Sequence, residues 1–68
     1  MHPLGRLTNR EREVFQLVAE ARTGPQIAKL LGLSPKTVDH HRTRLVEKLG
    51  LHSVAELVRF AWRHGLLE

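Results

Sequence analysis

The sequence predicts an all-α fold of four short helices, and three observations carry that prediction. Hydrophobic residues recur at spacings of three, four and seven, and no stretch alternates convincingly with period two. Four segments open on a hydroxyl residue suited to an N-cap: Thr8, Thr23, Ser34 and Ser53. Glycines stand at 32, 50 and 65, where the second, third and fourth helices should stop. A chain of 68 residues makes one small domain, and without cysteine it has no disulfide to staple it. Regular helix packing or a partner subunit must then supply the stability.

The first helix is expected over 9–21. Thr8 followed by Glu11 has the capping-box spacing, and Val14, Leu17, Val18 and Ala21 form its inward face with Phe15 beside them. The second runs over 24–31 from the Thr23/Gln26 box. It offers Ile27, Leu30 and Leu31 to the core, with small Ala28 allowing close approach. A third helix covers 35–49, with Ser34 as cap, Pro35 at the first helical position, and Leu33 and Val38 placed for a hydrophobic staple. The last spans 54–64 from the Ser53/Glu56 box. Residues 1–6 read as a tail or linker, and 7–68 as the folded domain. The short second helix, a glycine turn and a new N-cap at Ser34 together spell a helix-turn-helix.

Eleven Lys and Arg against seven Asp and Glu give a net charge of +4, a sign that suits a polyanionic partner. On a helical wheel the third helix places Val38, Leu45 and Leu49 on one narrow stripe with Val46 at its flank. Lys36, His40, Thr43 and Glu47 fall opposite, Asp39 and Arg44 lie at the edges, and His41 and Arg42 straddle the stripe. A solvated face is the bland account of such a pattern. Its place after a helix-turn-helix turn favours DNA instead, because fifteen residues give roughly 22 Å, enough to lie along a major groove. Thr and His meet base edges, Asp accepts from a cytosine amino group, and Arg or Lys takes phosphate or guanine.

The fourth helix is apolar over an arc of roughly 220°, wider than one face of a small core requires. Its surplus flank, with Ala55, Trp62 and the neighbouring Arg59, is a candidate subunit contact, and a homodimer would match a two-fold DNA site. Other chemistry finds little support. The histidines at 2, 40, 41, 52 and 64 form no i, i+4 pair and have no cysteine partner, so no metal site and no cofactor are expected. Ser34 and Ser53 are the only serines and both act as caps, which leaves no nucleophile and no enzyme. Apolar runs of three residues or fewer exclude a membrane span and point to the cytoplasm.

Several motifs then converge. They are Leu7-Thr8-x-Arg10-Glu11-Arg12-Glu13-Val14, Ile27-Ala28-x-x-Leu31-Gly32-Leu33-Ser34, Thr37-Val38-x-x-His41, Lys48-Leu49-Gly50 and Ser53-x-Ala55-Glu56-Leu57-Val58. In one register over about 60 residues, the chain resembles the LuxR-type (GerE-like) helix-turn-helix domain of bacterial transcription regulators. The resemblance implies that the third helix enters the major groove and the fourth carries dimer contacts. It implies base contacts from Asp39, His40 and Thr43, and backbone contacts at or beside Thr37, His41, Arg42, Arg44 and Lys48, to which the outward-facing Lys36 is added. It also implies double-stranded DNA as partner and an upstream receiver or sensor domain in a longer regulator. Two positions depart from the pattern: Asp39, where many relatives have a basic residue, and Gly24-Pro25, where a polar pair is common. The sigma-factor region-four domain shares the Leu-Thr-x-Arg-Glu opening, but the Gly50–Leu57 segment belongs to the LuxR-type pattern.

Overall fold

A computed structural model describes residues 3–64. A 3-10 turn, Pro3–Arg6, leads through buried Leu7 into four α-helices among the described residues. They are α1 (Asn9–Ala19), α2 (Gly24–Leu31), α3 (Pro35–Lys48) and α4 (Val54–His64). The stop expected at Gly65 lies outside the described residues.

The N-caps follow the sequence pattern. Thr8 and Thr23 each form a complete capping box with Glu11 and Gln26, and Ser34 Oγ accepts the Thr37 N–H at 3.1 Å. Ser53 Oγ accepts the Glu56 N–H, but the reciprocal bond goes elsewhere. Glu56 Oε2 accepts from the His52 N–H at 3.2 Å and lies 3.1 Å from His52 Nδ1. Gly32 and Gly50 take left-handed conformations at φ 68° and 69°. Beside them Leu33 N–H reaches Ala28 O and Leu51 N–H reaches Val46 O, both at 2.9 Å, so the last carbonyl groups stay bonded.

One helix end differs from expectation. α1 stops at Ala19, two residues early, because Ala21 adopts the left-handed conformation at φ 64° and Arg22 N–H closes onto Leu17 O. That geometry turns Ala21 out to solvent, and Ala19 takes the inward place instead.

The core draws on every helix: Val14, Phe15, Val18 and Ala19 from α1, Ile27 and Ala28 from α2, Val38 and Leu45 from α3, Leu57 and Ala61 from α4. Fully burying an aliphatic side chain of this size stabilises by about 1.5–3 kcal/mol. Phe15 and Phe60 join α1 to α4 edge to face, with ring centroids 6.0 Å apart. Leu30 was expected to face inward and is instead 57% exposed. The inward arc of α2 runs through buried Gly24, Ile27 and Ala28 to half-buried Leu31, and position 30 lies past its edge. Among the described residues no helix is long and apolar enough to cross a membrane.

Candidate nucleic-acid interface

α3 is held to the core by few residues. Val38 and Leu45, seven positions apart, are fully buried, and Val46 and the following Leu49 pack partly against the core. Its remaining surface turns outward: Lys36, Asp39, His40, Thr43, Arg44 and Glu47 are all exposed. The face presents two cations, two carboxylates, an imidazole and a hydroxyl along about three turns, with no exposed aliphatic side chain between them. Thr37 is half-buried, with its hydroxyl 2.9 Å from Ser34 Oγ. His41 is half-buried beside exposed His40, their ring centroids 6.2 Å apart and tilted by 59°.

Two cations of α3 have partners inside the fold that the wheel did not reveal. Lys48 Nζ lies 2.7 Å from Glu11 Oε1 on α1. Glu11 is only 4% exposed, and the same oxygen accepts the Thr8 N–H at 2.9 Å. Burial is the largest influence on this carboxyl and pushes its pKa up. The Lys48 ammonium and the Thr8 hydrogen bonds together outweigh it, so the group is held below the ordinary value of 4.5. Sequence reasoning identified Glu11 as a cap and missed its second role. No local spacing rule links residues 37 positions apart.

Arg42 is the second inward-turned cation. Its Nη2 donates to Asp39 Oδ1, one turn back on α3. Its guanidinium lies over buried Gly24, the first residue of α2, so closely that a Cβ there would come within 3.0 Å of Nη2. Arg42 Nε is buried without a hydrogen-bond partner. Asp39 on α3 and Gly24 on α2 thus meet at one arginine.

On α4 the expected surplus of apolar surface is present. Val54, Val58 and Trp62 are 40%, 37% and 57% exposed, and Ala55 and Arg59 are exposed beside them. Val58, Arg59, Trp62 and Arg63 line a shallow groove on this side. Behind it, His64 packs on Phe60 with ring centroids 4.3 Å apart.

Comparison with known proteins gives a consistent match. Residues 5–61 fit the family described as bacterial regulatory proteins, luxR family. The chain is 48% identical over 60 residues to the uncharacterized response regulatory protein YgeK of Escherichia coli strain K12, covering 88% of this chain and 41% of that protein. It is 45% identical over 60 residues to the transcriptional regulatory protein TdiR of Thauera aromatica, covering 88% of this chain and 26% of TdiR. With the oxygen regulatory protein NreC of Staphylococcus aureus it shares 42% over 66 residues, covering 97% and 30% of the two chains. The chain therefore spans well under half the length of these relatives.

Proposed function

The chain belongs to the luxR family of bacterial regulatory proteins, and from that premise we propose that it binds double-stranded DNA sequence-specifically as the output domain of a transcription regulator. α3 lies in the major groove, with His40 and Thr43 facing base edges and Asp39 beside them. Lys36, Thr37, His41, Arg42 and Arg44 hold the phosphate backbone, and Lys48 joins them with the ammonium protons that Glu11 does not take. The observation that carries this reading is the outward face of α3, polar at every exposed position from Lys36 to Glu47. Its 14 residues extend for about 21 Å, a length that suits a groove about 12 Å wide.

Two copies pair through α4, with Ala55, Arg59 and Trp62 in the contact, so that each reads one half-site about one helical turn from the other. The unit of residues 7–68 follows a linker from an upstream receiver or sensor domain, acts in the cytoplasm, and binds rather than catalyses. Response regulatory proteins among its relatives, such as YgeK, support that arrangement.

The test is selection from a randomised duplex pool at two salt concentrations, followed by sequencing. A motif enriched as a twofold pair and lost steeply at the higher salt is the expected result. Binding that is absent at both salts, or that resists salt, would overturn the reading.

A further inference from the structure

We propose that Asp39 is a positioning residue: together with Gly24 it fixes the guanidinium of Arg42 in the orientation that receives a DNA phosphate. The inference rests on the DNA-binding reading and concerns how that site is preorganised. It assigns Asp39 to a neighbouring side chain rather than to a base.

The first ground is contact. Asp39 Oδ1 holds Arg42 Nη2, and the guanidinium lies so close over Gly24 that a Cβ there would stand 3.0 Å from Nη2 and push the group aside. An arginine side chain has several rotatable bonds, and pinning its planar head before DNA arrives removes an ordering cost from binding.

Energetics point the same way. Asp39 is 64% exposed, so water screens its pairing with Arg42 and the pair contributes little to folding. Arg42 Nε is buried without a partner, which disfavours this placement. The guanidinium also rests on the first residue of α2, where the helix dipole presents its positive end. Fold stability alone would release the side chain to solvent. The Asp39 carboxylate offsets the cation against the helix end, and the second Nη2 proton together with Nη1 remains available to an anion.

Asp39 also carries a negative charge on a face meant for phosphate. If it were a bystander, removing that charge would simply tighten binding. As a positioning residue it has a distinct signature. Asp39→Asn keeps an oxygen acceptor for Arg42, whereas Asp39→Ala does not, and both lose the same charge. Gly24→Ala leaves the charge unchanged and moves only the guanidinium. Alanine is the better helix former, and the displaced group is the far end of a flexible side chain, so the melting temperature should not fall.

The experiment measures affinity of the 68-residue chain and these three variants for a set of single-base-varied duplexes, with a thermal melt of each. Asp39→Ala should bind about fivefold more weakly than Asp39→Asn on every duplex, and Gly24→Ala about fivefold more weakly than wild type. Base preference should be unchanged throughout. A shift of preference at one position in Asp39→Asn would make Asp39 a base reader and overturn the proposal. Wild-type affinity in Gly24→Ala, or equal affinity of the two Asp39 variants, would overturn it too. Failure of the wild-type chain to bind any duplex would instead remove the DNA-binding reading on which the proposal stands.

Discussion

Glu11 ties two ends of the structure together, and replacing it should reveal how much of the domain depends on one carboxylate. Glu11→Ala removes the acceptor of the Thr8 N–H and of Lys48 Nζ at once. The lost cap bond costs about 0.5–1 kcal/mol, and the charge-assisted bond to Lys48 about 1.5–3 kcal/mol. Lys48 is 30% exposed, so water recovers part of its solvation and the lower half of that range applies. A loss near 2–3 kcal/mol follows, against a total stability of roughly 0.05–0.15 kcal/mol per residue. The melting temperature should fall by about 10–20 °C, since one kcal/mol moves a domain of this size by about 4–8 °C. Glu11→Gln keeps an acceptor for Thr8 and loses only the charge, so it should cost about 1–2 kcal/mol. The pH dependence fixes the cause. A carboxyl whose folded pKa lies below its ordinary 4.5 adds stability that is complete above the ordinary value. That stability is lost as pH falls through the folded value. The gap between wild type and Glu11→Gln, followed by thermal circular dichroism, should therefore be full at neutral pH and close in acid. A gap that persists in strong acid, or none at pH 7, would refute the ion-pair account.

Further outcomes follow from other residues. Ala21→Gly should raise the melting temperature, because Ala21 sits at φ 64°, where a Cβ costs roughly 1 kcal/mol, and a fall on thermal denaturation would contradict this. Thr43→Ala should relax preference at one base position by about 1–3 kcal/mol in a selection experiment. Arg44→Ala should weaken all sequences equally and flatten the salt slope by about one unit. Exchanged behaviour between these two variants would reverse their roles. Trp62→Glu should lower cooperative binding to paired half-sites while sparing single sites, and equal losses at both would count against an α4 contact.

What the sequence made legible is what local chemistry determines. Hydroxyl caps at Thr8, Thr23 and Ser34 and left-handed glycines at 32 and 50 need only neighbours within a turn, and they bounded α2 and α3 to within a residue. The end of α1 was not legible, since nothing in an alanine announces that position 21 will adopt positive φ. Leu30 shows a different limit: apolarity states a preference for burial, while an eight-residue helix has only one inward arc to offer. The outward set of α3 was readable from its 100° steps. The contacts of Lys48 with Glu11 and of Arg42 with Gly24 were not, because Glu11 and Gly24 come from α1 and α2 and meet α3 only in the folded chain.

That division of the cations changes how the interface should be understood. Counted along the sequence, α3 carries Lys36, Arg42, Arg44 and Lys48 as equivalent positive charges. In the fold only Lys36 and Arg44 are exposed without an ion pair among the described residues, and Asp39 and Glu11 each answer one of the others. Two buried aliphatic residues are a slender attachment for a helix of 14 residues. Lys48 strengthens it at one further point, on the start of α1. A helix whose outer face must stay free for a partner cannot add apolar anchors there. It can, however, use long charged side chains whose stems cross its flanks. Lys48 then keeps spare donors for phosphate, so the same residue can hold α3 in place and contribute to what it binds. On this account the salt dependence of binding should reflect Lys36 and Arg44 fully. Arg42 and Lys48 should contribute less, because Asp39 and Glu11 already offset part of their charge.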